Sequence, residues 1–133
     1  MPVVDTNVLA YAVFGQAEVS DAALGLLKRK GEITVPDLLF AELANVAWQQ
    51  VRHSRFDPGA AQAALLDAHA LVDVSLPTAD LMTRALELAI AADHSAYDAV
   101  FVAAAEAQNT HLLTFDRRLV DRFSPVARLA GPH

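Results

Sequence analysis

Cysteine is absent from the 133-residue sequence, which excludes disulfides, thiolate nucleophiles and Cys-ligated zinc or iron–sulfur sites. The absence leaves the compartment open, with the cytoplasm as the simplest expectation. Lysine occurs only as Lys28 and Lys30, and ten Lys and Arg face sixteen Asp and Glu, a formal net charge of −6. An overall basic footprint for nucleic acid is therefore missing, and any polyanionic ligand must be met by a local device. Long apolar runs are missing too. The longest stretch without charge, Thr6 to Ala17, falls short of the ~18–20 residues that a membrane helix needs. The opening residues Met1-Pro2-Val3-Val4-Asp5 carry no basic segment and reach an acid at once, so no signal peptide is expected.

What is present is apolar and rich in alanine: 54% hydrophobic residues against 20% charged. That balance belongs to a folded chain rather than a disordered or low-complexity one. At this length roughly two-thirds of the unfolded surface can be buried, enough for one domain with a real core.

Strand and helix signals alternate. Val3-Val4 reads as a buried strand ending at Asp5, and Thr6 to Phe14 as a helix with Val8, Leu9, Ala12 and Val13 at helical spacing. A second helix is expected over about Ser20–Lys30, stopped by Lys28-Arg29-Lys30 and Gly31. Ile33-Thr34-Val35 forms a short β-branched strand closed by Pro36, and a long helix follows from Asp37 to about His53. Asp57-Pro58 supplies an N-cap and a first-turn proline for a helix to about Ala70. Leu71–Leu76 reads as a strand, Thr78–Ala92 as a helix, and Ser95 caps another helix through Gln108. Leu112-Leu113-Thr114 is a strand, Asp116 caps a short helix to about Phe123, and Val126–Leu129 is a candidate edge strand. Such alternation predicts an α/β sandwich around a mainly parallel sheet.

Ligands of open parallel sheets bind at the carboxyl ends of the strands. Asp5 and Asp116 stand just past strands, Asp98 lies in the first turn of the Ser95 helix, and Glu42 lies in the second turn of the Asp37 helix. Taken singly, each has an ordinary structural reading. Asp5 and Asp116 serve as N-caps, Ser95-Ala96-Tyr97-Asp98 matches a capping box, and Glu42 shares a solvated stripe with Asn45 and Gln49.

Taken together, the four have a more specific pattern. Val3-Val4-Asp5-Thr6-Asn7-Val8, Pro36-Asp37-Leu38-Leu39-Phe40-Ala41-Glu42, Tyr97-Asp98-Ala99-Val100-Phe101 and Leu112-Leu113-Thr114-Phe115-Asp116-Arg117 resemble the acidic motifs of the PIN domain. The resemblance extends to the VapC-type toxin ribonucleases in length, element order and motif order. It implies a single PIN domain over residues 1–133, an α/β/α sandwich whose four or five mainly parallel strands gather the acids into one pocket. It further implies that Asp5, Glu42, Asp98 and Asp116 are catalytic and hold Mg²⁺ or Mn²⁺ for hydrolysis of RNA to a 5′-phosphate and a 3′-hydroxyl. Thr114 and Asn7 take supporting places beside Asp5. A cognate antitoxin protein and a homodimer are the partners implied.

The chemistry suits these residue types. Hard divalent cations choose oxygen ligands, and clustered carboxylates repel one another unless a cation or protons intervene. An acidic pocket that binds RNA needs basic neighbours: Arg117 and Arg118 beside Asp116 are the substrate-binding candidates, with Arg122, Arg52 and Arg55 behind them. For each, a solvated helix face is the plainer reading. The five histidines, His53, His69, His94, His111 and His133, show no paired metal spacing and are expected at the surface or its boundary. Trp48, Phe40 and Phe101 are expected in the core or a dimer contact.

Phosphotransfer proteins with an aspartate after the first strand use a lysine beyond mid-chain, and none is present here. A non-catalytic module on the same fold, or a PIN-type nuclease of RNA processing or DNA, remains the alternative.

Overall fold

The computed structural model describes residues 2–130. Five strands and seven α-helices alternate along the chain: β1 (Val3–Val4), α1 (Thr6–Phe14), α2 (Ala17–Arg29), β2 (Thr34–Pro36), α3 (Leu38–Arg52), α4 (Pro58–Leu71), β3 (Val74–Leu76), α5 (Met82–Ala92), α6 (Ala96–Ala107), β4 (Leu112–Thr114), α7 (Arg117–Phe123) and β5 (Ala127–Leu129). The strands form one sheet in the order β3-β2-β1-β4-β5, and every pairing is parallel. Helices flank the sheet, in the α/β/α arrangement that the resemblance implies.

Connectivity decides where a ligand can reach the sheet. From β1 the chain winds outward through β2 to β3, and it then returns to place β4 on the opposite side of β1. The carboxyl ends of β1 and β4 thus lie at a topological switch point, where helices leave in opposite directions and open a crevice.

The core is made where the two layers meet the central strands. Val3, Val4, Val35, Leu112, Leu39 and Phe101 are all fully buried. Helix α6 is apolar nearly all round, and Ala99 to Ala105 are buried without interruption, as expected of a helix enclosed by its neighbours. Among the described residues no single helix is long and apolar enough to cross a membrane.

Several local expectations are corrected. Helix α2 begins at Ala17, three residues before Ser20, with Glu18 in its first turn favoured by the helix dipole. Strand β3 spans only Val74–Leu76 because α4 continues through Leu71 and Val72 caps it. Asp73 closes that junction: its carboxylate accepts from the Ile33 amide at 2.7 Å. The helix expected from Thr78 is broken into a 3₁₀ turn, Thr78–Asp80, and α5. The break has a tertiary cause. Asp37 accepts from both the amide (2.9 Å) and the hydroxyl (2.6 Å) of Thr78, and the Leu38 amide donates to that hydroxyl at 3.0 Å. These bonds tie the start of α3 to the end of β3 and hold Asp37 away from capping its own helix.

Trp48 is 54% exposed, which removes it from the core but not from a dimer contact, and the Arg52 guanidinium lies 5.3 Å from its ring centroid. Phe40 is half-buried against the core, and Phe101 is wholly inside it. His133 lies outside the described residues.

Candidate metal centre

The crevice predicted by the topology is a cleft of about 950 Å³, and Asp5, Glu42, Asp98 and Asp116 all line it. Asp5, Glu42 and Asp116 reach it from three strand-to-helix junctions, and Asp98 from the turn between α5 and α6. Asp5 follows β1, Glu42 is one turn into α3, Asp98 is in the first turn of α6, and Asp116 caps α7.

Asp5 is the most enclosed of them at 7% exposure. Its backbone amide donates to the Leu113 carbonyl at 2.9 Å, which anchors it to the end of β4. One carboxylate oxygen accepts from the Thr6 amide at 2.8 Å. The other accepts from the Thr114 hydroxyl at 2.7 Å and from the Asn7 side-chain amide at 3.4 Å. Thr114 is itself fully engaged, because its oxygen accepts from Asn7 Nδ2 (3.2 Å) and from the Asp116 amide (3.0 Å). Asn7 Oδ1 accepts from the Phe115 amide at 3.1 Å, so the far end of this side chain is fixed as well. Thr114 and Asn7 therefore hold Asp5 through hydrogen bonds alone, with no compensating positive charge.

Burial consequently dominates the acid's titration. Its pKa is pushed up to about 7, chiefly by desolvation, against the lowering effect of the Thr114 and Thr6 hydrogen bonds; the negative charges of Asp98 and Glu42 add to the rise. Glu42 is raised in the same direction, again by burial first, with Asp98 contributing. Thr6 links the two acids: its amide serves Asp5, and its hydroxyl donates to Glu42 Oε1 at 2.6 Å. Sequence reasoning had given Thr6 no role, although a hydroxyl residue directly after the acid was the available signal.

Asp98 and Asp116 are turned towards other partners. Asp98 Oδ2 lies 2.7 Å from His94 Nε2, and Asp116 accepts from the Arg118 amide at 2.9 Å as the cap of α7. His94 was missed for this place, yet the spacing of four residues to Asp98 was legible. Its side chain is only 6% exposed. Among the described residues no three acidic or histidine side chains close into a ready-made metal cage.

The donor chemistry nonetheless fits a hard divalent cation. Every acidic donor offers oxygen, and Asp5 and Glu42 sit in a charge environment that a cation would relieve. Of the residues lining the cleft, Asp5, Glu42, Asp98 and Asp116 are the carboxylates that could hold such an ion.

The basic candidates separate clearly. Arg117 and Arg118 are exposed in the first turn of α7 and do not line the cleft. Arg122 donates to the carbonyls of Ala92 (2.6 Å) and Asp93 (3.4 Å), so its charge closes the end of α5. Arg55 is the one cationic residue among the described residues that line the cleft. Tyr11 and Tyr97 line it too, 45% and 68% exposed.

The PIN domain family model matches residues 3–124. This chain belongs to the PIN domain family. Its members are generally nucleases and typically use divalent metal ions. Among solved structures, the crystal structure of PAE2754 from Pyrobaculum aerophilum superposes with a TM-score of 0.69 at 25% identity, over 94% of this chain and 81% of that one. A search of the curated proteins finds no match.

Proposed function

We propose that the protein is a divalent-metal-dependent endoribonuclease, the VapC-type toxin of a toxin–antitoxin pair. One observation carries the nuclease reading. A buried carboxylate, Asp5, shares a cleft with Glu42 and Asp98 at the sheet's switch point, and only neutral donors surround it. Such an arrangement is costly for the chain alone and becomes favourable when Mg²⁺ or Mn²⁺ is held there.

Asp5, Glu42 and Asp98 hold the ion, and Asp116 at the rim completes the acidic set. A cation so bound supplies a coordinated water of lowered pKa and neutralises charge on the phosphate. The chain's own groups do the positioning. Thr6, Asn7 and Thr114 keep the Asp5 and Glu42 oxygens aimed, and Arg55 holds a phosphate of the RNA. The exposed rings of Tyr11 and Tyr97 offer faces on which unpaired bases stack. The toxin assignment, with a cognate antitoxin covering the cleft and a homodimeric assembly, rests on the order and spacing of the acidic motifs.

Incubating the purified protein with RNA in Mg²⁺ or in chelator tests the chemistry. Cleavage in Mg²⁺ that is lost in chelator and in Asp98→Asn supports it. Cleavage that survives chelation, or equal cleavage by Asp98→Asn, refutes it. Growth arrest on expression, relieved by the product of the neighbouring gene, tests the toxin assignment.

A further inference from the structure

Helix α6 presents Asp98 to the cleft, but the residue that sets its carboxylate lies outside the helix. We propose that His94 is a positioning residue for Asp98: its imidazole clamps one carboxylate oxygen and thereby presents the other to the metal. The inference rests on the metal-nuclease reading and goes beyond it, since nothing in the acidic motifs involves position 94.

The clamp is built from several elements. His94 Nε2 lies 2.7 Å from Asp98 Oδ2, and its side chain is 6% exposed against 35% for Asp98. The backbone around it is held at both sides. Asp93 adopts the left-handed conformation (φ 50°) that ends α5, and the His94 amide donates to the Ala89 carbonyl at 3.1 Å. Helix α7 fastens the same turn from a distance of about thirty residues. Arg122 donates to the Ala92 and Asp93 carbonyls, and the Phe123 ring stands edge-on to the imidazole at 5.4 Å and 86°. The buried imidazole, its bond to Asp98 and its ring contact with Phe123 go beyond what a solvated histidine makes.

The physical consequence is a loss of freedom. A free aspartate in the first turn of a helix rotates about χ1 and χ2 and can fold back on its own helix's amides. Bonded to a buried, ring-packed imidazole, Asp98 keeps Oδ2 occupied and Oδ1 available. Groups that orient a metal's ligands in this way typically change metal affinity or activity by ~10–100-fold when removed.

The test uses the intact chain and reads metal binding without RNA. Calorimetric titration of Mn²⁺ into chelator-stripped protein compares wild type, His94→Phe and His94→Gln. Phenylalanine keeps the packing against Phe123 and removes the polar contact; glutamine restores a side-chain donor near the place of Nε2. Thermal unfolding in chelator checks that all three fold alike. The expected result is a Mn²⁺ affinity weakened ~10–100-fold in His94→Phe and recovered to within a few-fold in His94→Gln. A matching fall in kcat, with little change in KM for RNA, accompanies it. Unchanged or tighter binding by His94→Phe overturns the proposal, as does a His94→Gln variant as impaired as His94→Phe. If His94→Phe does not fold, His94→Leu, which also lacks the polar contact, takes its place: affinity weakened ~10-fold or more in His94→Leu supports the clamp, and unchanged affinity overturns it. A wild-type protein that binds no Mn²⁺ overturns the metal-nuclease reading and this inference with it, whereas intact wild-type binding with an indifferent His94→Phe removes this inference alone.

Discussion

Replacing Asp5 by asparagine keeps the side chain's shape and removes its charge, so the variant isolates what that charge costs the metal-free fold. A carboxyl raised from 3.8 to about 7 on folding is disfavoured in its ionised form, at about 1.4 kcal/mol per pH unit. Because the folded value is the higher one, stability is greatest below pH 4, is lost as pH rises from about 4 to about 7, and stays lower beyond. The full loss is about 4 kcal/mol for the wild type. Asparagine avoids it but is a poorer hydrogen-bond fit. Both lone pairs of Thr114 Oγ1 are taken by Asn7 and the Asp116 amide, and the other side of the group faces the Thr6 N–H. The second amide hydrogen therefore meets another donor whichever way the group is turned, at ~1–2 kcal/mol. The variant should be less stable than wild type by that amount at pH 4 and more stable by ~2–3 kcal/mol at pH 8, with the two curves crossing near pH 5. In Tm, the gain at pH 8 corresponds to roughly 6–10 °C for a chain of this size. Denaturation in chelator across pH 4–8 measures the difference directly. A difference that stays flat with pH would show that Asp5 carries no burdened charge, and the argument for a metal-relieved carboxylate would fail. Saturating Mn²⁺ at pH 8 should reverse the order by stabilising the wild type only.

Three further outcomes follow from the same contacts. Thr114→Val removes the hydroxyl that donates to Asp5 and accepts from two amides; it should cost ~1–3 kcal/mol by urea denaturation and move the pH dependence of wild-type-like unfolding further towards the alkaline side. Arg55→Ala should raise KM for RNA several-fold with kcat little altered, because Arg55 is the cleft's cation and contributes to binding rather than to the reacting atoms; Arg117→Ala and Arg118→Ala, away from the cleft, should move KM less. Asp57→Ala deletes the cap that accepts from the Ala60 amide at 2.8 Å; it should lower stability by ~1 kcal/mol and leave RNA cleavage unchanged, which separates a structural acid from the cleft acids.

Much of this was readable along the chain because it is local. Val3-Val4 and Leu112-Leu113-Thr114 announce buried strands by composition, and Asp57, Ser95 and Asp116 announce helix starts by capping chemistry that acts within three residues. A mainly parallel sheet follows from alternation of these signals, and the structure makes it five strands, all parallel. The acidic residues were legible as a set through the resemblance of their four motifs to those of the PIN domain, although Asp98 follows a helix rather than a strand. What the local signals missed were the bonds spanning dozens of residues. Asp37 reads as a helix start, but Thr78, 41 positions away, takes its carboxylate and breaks the following helix. Trp48 reads as a core or dimer-contact residue, and the structure leaves it 54% exposed with the Arg52 guanidinium over its ring.

The sequence by itself determined the order of elements, because helix periodicity, capping and strand composition are short-range effects, and its motif resemblance singled out the four acids that line the cleft. Only the tertiary structure decided how those acids are supported. Thr6 reaches Glu42 across 36 positions and Thr114 reaches Asp5 across 109, while Arg55 lines the cleft instead of Arg117 or Arg118. Those choices depend on which strand ends the parallel winding brings side by side, and a hydrogen bond or a desolvated charge exists only once they meet.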